Sequence, residues 1–220
     1  MKSREVLRFA LMLPLLGAML FLSAGTLDYW QGWAWLGVFT AGSSFLGLYL
    51  ARTNPALLER RTRRREQRGV QRLFQYGGMV LWPSSMVLSG LDHRFGWSHG
   101  VPWWLSVAAL AVLVWTYELN FEVMRANTYA GATIGVEAEQ KVVSTGPYAV
   151  VRHPMYAALA AMFVATPLAL GSWVVLAVSA AMVGSLVMRL LDEEKLLRSE
   201  LPGYAEYCAR VRWRLAPGVF

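Results

Sequence analysis

Six apolar runs, separated by short polar segments that hold nearly all of the basic residues, constrain this chain more than any other feature. A helix needs roughly 20 apolar residues to cross the hydrocarbon of a bilayer. The runs extend over about Phe9 to Ala24, Trp33 to Leu50, Phe74 to Leu91, Trp103 to Leu119, Met155 to Leu170 and Trp173 to Leu191. The pattern predicts an all-α, polytopic integral membrane protein, folded as one domain over 1–220. It has four spanning helices, a C-terminal helical hairpin closed at Gly171-Ser172, and a cytoplasmic interfacial tail. Each hairpin arm has about 17 residues, or roughly 25 Å of helix, and is expected either to span barely or to lie buried against its neighbours. The tail after Asp192 is charged, has aromatics at Tyr204, Tyr207 and Trp213, and reads as an amphipathic helix at headgroup level.

Lysine and arginine orient the bundle. With the N-terminus inside, the outside loops fall at 26–32 and 92–102, and Arg94 is the only basic residue in them. Every other Lys and Arg then lies inside, the asymmetry expected of cytoplasmic segments. Both termini are therefore placed in the cytoplasm, at the plasma or inner membrane if the source is bacterial. Lys2, Arg4 and Arg8 before the first run, with Ser23-Ala24-Gly25 after it, mimic a signal peptide, but the further runs argue for a retained first helix. The densest basic cluster, Arg60, Arg61, Arg63, Arg64, Arg65, Arg68 and Arg72, reads mainly as an anchor for anionic headgroups of membrane lipids. A role in a binding site is its minority reading.

Several function classes drop out. The net charge of +7 lies in blocks between apolar runs and not along one face, so nucleic acid is no expected partner. A lone cysteine, Cys208, excludes an internal disulfide and a thiolate zinc site. With only His93, His99 and His153, no metal is expected. There is no glycine-rich nucleotide loop, and no row of charges through the apolar runs of the kind a proton-coupled transporter carries.

What remains is a run from Gln140, Lys141, Val142 and Val143 to Gly146-Pro147-Tyr148, leading into Arg152-His153-Pro154-Met155-Tyr156. Gly146-Pro147 marks a turn, and Pro154 suits the first turn of the next helix. A helix N-terminus near the membrane surface favours anions; the plainer reading is a helix cap with interfacial aromatics. A second group, Arg189, Asp192, Glu193 and Glu194, ends the last helix. Arg189 and Glu193 are four apart and share a face, which alone describes an ordinary ion pair beside a solvated helix end. The hairpin makes the two groups antiparallel neighbours, so His153 and Tyr156 should meet Arg189 and Glu193 at one level, polar groups converging beside apolar walls. Glu118 and Glu122, at the inner end of the fourth run, are read as emerging at the interface and pairing with Arg125.

Gly-Pro-Tyr followed by Arg-His-Pro-x-Tyr, then an arginine and paired glutamates after a helical hairpin, resembles the isoprenylcysteine carboxyl methyltransferases. Phospholipid N-methyltransferases share a looser form of the pattern. The resemblance is specific from Asn127 to about Tyr207, and the earlier 27–33 and 54–60 segments look like those of bacterial members. Thr133, where eukaryotic enzymes often carry Gln, and the proline of Gly146-Pro147-Tyr148 also fit the bacterial type. The resemblance implies S-adenosyl-L-methionine as cofactor and 120–220 as the cofactor-binding catalytic region. It implies cofactor contacts at Gln140, Lys141, Val142, Val143, Tyr148, His153, Pro154, Met155, Tyr156 and Glu193, with Asn127 nearby. Arg189 falls where the family's substrate-facing arginine lies, so Arg189 and Glu193 are the expected catalytic pair. The expected activity is methyl transfer to a lipidic or small apolar acceptor, with phospholipid N-methylation or thiol S-methylation as alternatives. The rivals outside this class are a sterol-reductase-like membrane enzyme using NADPH and a non-enzymatic membrane protein, either scaffold or transporter.

Overall fold

The computed structural model describes residues 3–62, 69–98, 100–130 and 140–220. Lys2, Arg63, Arg64, Arg65, Arg68, His99 and Thr133 lie outside the described residues, so the readings made on them stay with the sequence. The described chain is helical, without strands. It forms α1 (Ser3–Ala24), α2 (Trp30–Thr53), α3 (Pro55–Thr62), α4 (Gly69–Phe95), α5 (Trp103–Ala126), α6 (Pro154–Ala169), α7 (Leu176–Glu200) and α8 (Tyr204–Arg210), with one 3-10 turn at Gly146–Ala149. The first four apolar runs each lie within one long helix, while the fifth ends one residue beyond α6 and the sixth begins three residues before α7.

Helices α2 and α5 are long and apolar enough to cross a membrane, and Leu11–Ala24 and α6 are shorter apolar helices. Their outer surfaces are greasy: Leu11, Leu15, Leu22, Phe45, Leu48, Val107, Val114 and Trp115 are all exposed. Such faces are stable against lipid and not against water. Pro14, Pro83 and Pro167 lie inside helices, as is tolerated in membrane helices whose neighbours re-satisfy the freed backbone.

The core forms where α1, α2, α4, α5 and α6 meet, around Leu20, Trp35, Met86, Leu113 and Ala165. Two glycines set how close the helices come. A Cβ on Gly90 would lie 2.4 Å from the Leu20 carbonyl oxygen, so α4 touches the backbone of α1. A Cβ on Gly42 would lie 2.5 Å from the Tyr117 ring, which crosses α2 there and reaches Ser43 with its hydroxyl. Helix α6 packs along both α5 and α7, and this brings the two polar groups of the sequence together.

Two elements differ from the sequence reading. The 54–62 segment is a helix of its own, started by Asn54, whose Oδ1 accepts from the Leu57 N–H at 3.0 Å, and by Pro55 at the first position. Leu57 is fully buried against Leu46, Leu50 and Met124 and pins this helix down. The tail is not one interfacial helix. Helix α7 continues to Glu200, Gly203 turns the chain in the left-handed region (φ 82°), and α8 is two turns long. Residues beyond α8 fold back: the Arg152 and His153 N–H groups donate to the carbonyls of Trp213 and Arg214, each at 2.9 Å.

Candidate active site

The cleft forms where α5 ends, α6 begins and α7 leaves the bundle, with α8 closing one side. Pro154 occupies the first position of α6, where its fixed φ suits a helix start. Gly146 takes a left-handed φ of 58°, which only glycine adopts without strain, and aims the 3-10 turn back at α5. There the Asn127 side chain donates to the Tyr148 hydroxyl at 3.0 Å. Tyr207 of α8 donates to the Tyr148 carbonyl at 2.7 Å. The turn is thus fastened from both sides.

About 840 Å³ of empty space, part of it open to solvent, lies between these elements. Gln140, Lys141, Val142, Val143, Tyr148, His153, Met155, Tyr156, Arg189 and Glu193 all line it. Pro154 does not line the space; it is buried just behind, setting the direction of α6. Asn127 lines the cleft as well. The level predicted from the hairpin is observed: Tyr156 donates to Glu193 Oε2 at 2.5 Å and accepts from Arg189 Nε at 2.9 Å. A single phenol therefore links the carboxylate to the guanidinium. Arg189 is buried, and its guanidinium lies over the Phe74 ring of α4 at 4.9 Å, a cation–π contact on the side facing the apolar helices.

Adjacent residues on a helix point about 100° apart, so the paired glutamates look in different directions. Glu194 is buried and not solvated. Its Oε1 accepts from Arg152 Nε at 2.6 Å and lies 3.4 Å from His153 Nε2, and its Oε2 accepts from Arg214 Nε at 2.9 Å. Burial works against the charged carboxylate, but the hydrogen bonds from His153, Arg214 and Arg152, with the charge of His153, outweigh it. Glu194 is held down at about 2. Arg152 also donates to the carbonyls of Val211 and Arg212, both at 3.0 Å, so this network ties α6, α7 and the returning tail into one unit. Burial pushes the Tyr148 phenol up to about 12, with the Asn127 hydrogen bond pulling the other way, and Tyr148 stays a neutral hydroxyl at the cleft wall.

The sequence reading placed the cleft but missed part of its wall: Tyr129, Ala130, Arg152, Leu197, Leu201, Tyr204 and Tyr207 also line it. Tyr204 and Tyr207 could have been found from their spacing of three, one face of a helix, next to Cys208 and the Leu201 that packs beneath them. Nothing local marks Tyr129 and Ala130, which reach the site only because α5 ends there. Of the two glutamates expected to pair with Arg125, Glu122 does so at 2.9 Å.

The model of the family described as phospholipid methyltransferase matches residues 104–201. The match runs from α5 to the end of α7 and includes Asn127, Tyr148, Tyr156, Arg189 and Glu193. No curated protein matches the chain with significance.

Proposed function

We propose that this chain, whose residues 104–201 match the phospholipid methyltransferase family, is a membrane methyltransferase whose cleft binds S-adenosyl-L-methionine and methylates a lipidic or small apolar acceptor. One observation carries this reading: a carboxylate and a buried guanidinium share the Tyr156 hydroxyl at the mouth of α6, in a cleft most of whose wall lies within the matched residues 104–201.

The donor set fits the cofactor. Glu193 would pair with its ammonium, the α6 N-terminus favours its carboxylate, and the faces of Tyr148 and Tyr156 suit adenine or a sulfonium. When bound, the cofactor supplies an electrophilic methyl group on a positively charged sulfur. The chain's own residues then hold donor and acceptor in line, and positioning of this kind lowers a barrier by about 7–11 kcal/mol. Arg189, between Tyr156 and Phe74, would hold an anionic acceptor group: a carboxylate, which has no proton to lose, or the phosphate beside a lipid amine. Its apolar surroundings, Leu186, Leu190 and Leu159, suit an acceptor that enters sideways from the bilayer.

The cleft would open to the cytoplasm, with α1, α2, α4, α5 and the α6–α7 pair spanning. Support comes from Arg94 as the sole basic residue of the 26–32 and 92–102 loops, and from the exposed Trp30, Trp33, Trp97, Trp103, Trp104 and Trp173 at that end, an aromatic belt at an interface.

The test is methylation of three acceptor classes by the purified protein: a phospholipid amine, an isoprenylated cysteine carboxylate and a small thiol. Methyl incorporation into one of them is expected, and Arg189→Ala should reduce it at least about a hundredfold, the scale of losing one electrostatic contact to the reacting group. Cofactor affinity should stay within about threefold of the wild type, a change of under 1 kcal/mol. Undiminished turnover in this variant would remove Arg189 from the acceptor site.

A further inference from the structure

Helix α3 carries an arginine that the proposed chemistry has not used. Arg61 is partly buried and reaches over the end of α5 to the cleft wall. Its Nη1 donates to the Ala130 carbonyl and to the Met155 sulfur, each at 3.1 Å, and both of those residues line the cleft. Both acceptors are neutral, and among the described residues no carboxylate pairs with this guanidinium. A cation drawn out of water without an anion is costly unless something else supplies the charge. Burial does push Arg61 below the ordinary arginine value, with the Tyr148 oxygen only partly opposing it.

Its position is not a product of chance flexibility. Leu57 anchors α3 in the core, Asn54 caps it, and the neighbouring Arg60 donates to the Thr128 carbonyl at 2.8 Å while covering the Tyr129 ring. The guanidinium is therefore carried on a fixed helix to the first turn of α6. Glu193 and Tyr148 line the same cleft as Ala130 and Met155, and the Tyr148 phenol is within electrostatic reach of both Glu193 and Arg61. A carboxylate in the cleft and a guanidinium bonded to its wall match the two ends of an amino-acid zwitterion, whose ammonium and carboxylate share a carbon.

We infer that Arg61 is a cofactor-binding residue that takes the amino-acid carboxylate of the cofactor, opposite the ammonium held by Glu193. The inference rests on the methyltransferase reading above and adds a residue from outside the matched 104–201 region. It assigns a ligand contact to an arginine of the basic cluster that the sequence reads as a lipid anchor. Arginine suits the task because its planar fork meets a carboxylate with two N–H groups.

The experiment is calorimetry on the full chain in detergent, with S-adenosylhomocysteine and its decarboxylated analogue, which keeps the ammonium and lacks the carboxylate. For the wild type, loss of the carboxylate from the ligand should weaken binding roughly ten- to a hundredfold, as for a charge-assisted hydrogen bond. Arg61→Gln should weaken S-adenosylhomocysteine by a similar factor and leave the analogue within about threefold, so the two changes are not additive. Arg61→Lys should recover part of the loss. Equal losses for both ligands in Arg61→Gln would show that Arg61 merely ties α3 to the 128–130 segment, and the inference would be wrong. Should that variant not fold, equal affinity of the wild type for the two ligands would overturn it as well. A wild type that binds neither ligand would instead overturn the cofactor reading itself.

Discussion

Carboxylates stand at both ends of the α6–α7 hairpin, and they are treated in opposite ways. At the turn end, Asp92 of α4 accepts from the Ser98 N–H at 2.6 Å and from the hydroxyls of Ser98 and Ser172. Ser98 in turn accepts from the N–H groups of Trp173 and Val174. Asp92 is 2% exposed, its donors are neutral, and no residue of this group lines the cleft. It is a latch that fixes the turn against α4. At the open end, Glu194 does the same job with stronger partners, two guanidiniums and a histidine, while Glu193 does not. Of Glu193, only Oε2 is bonded by a described residue, and a carboxylate has about four acceptor positions in all. Of three carboxylates, the two buried ones, Asp92 and Glu194, are thus spent on structure, and the half-buried Glu193 keeps acceptor capacity at a cleft.

The largest expected effect breaks the structural side of this division. Glu194→Gln leaves Arg152 and Arg214 without their shared anion in a buried place, which costs about 3–5 kcal/mol and should appear as a lower unfolding temperature in detergent. An unfolding temperature equal to the wild type would mean that the tail does not hold the site together. The same residue sets an acid limit. Its folded-state value of about 2 lies below the ordinary 4.5, so the native state binds fewer protons than the unfolded chain. That stabilisation is complete above about pH 4.5 and is lost as the pH falls through 2. Glu194→Gln should remove this portion of the acid sensitivity, as a melting series from pH 7 to pH 2 would report. Asp92→Asn is the milder counterpart. It exchanges charge-assisted bonds for neutral ones, costs about 1–2 kcal/mol, and should leave every property of the cleft untouched. Altered cofactor affinity in Asp92→Asn would mean that the two ends of the hairpin are coupled, and the comparison above would fail.

Much of this arrangement is legible in the sequence because it is local or periodic. The apolar runs give the long helices; Gly146-Pro147 and Pro154 give the turn and the start of α6; the four-residue spacing of Arg189 and Glu193 puts both at one cleft. What stays hidden depends on where distant segments return. Glu193 and Glu194 look alike in the sequence, and only the packing of Arg152 and of the folded-back Arg214 shows that one is buried in an ion network. Arg61 cannot be told from the arginines beside it, because its difference is the Leu57 anchor that carries it to Met155. The tail misleads for a physical reason: its charges and aromatics suggest an interfacial helix, while its backbone at Trp213 and Arg214 pairs with residues 152–153.

The central claim, that Glu193 is the carboxylate reserved for the cofactor, is tested most directly by calorimetric titration of S-adenosylhomocysteine into wild type, Glu193→Gln and Asp92→Asn, with NADPH as control. Saturable binding is expected for the wild type and for Asp92→Asn alike, and none for NADPH. Glu193→Gln should bind roughly ten- to a hundredfold more weakly, the loss of one hydrogen bond to a charged group, about 1.5–3 kcal/mol. Equal affinity in all three proteins, or saturable binding of NADPH in place of S-adenosylhomocysteine, would contradict the account.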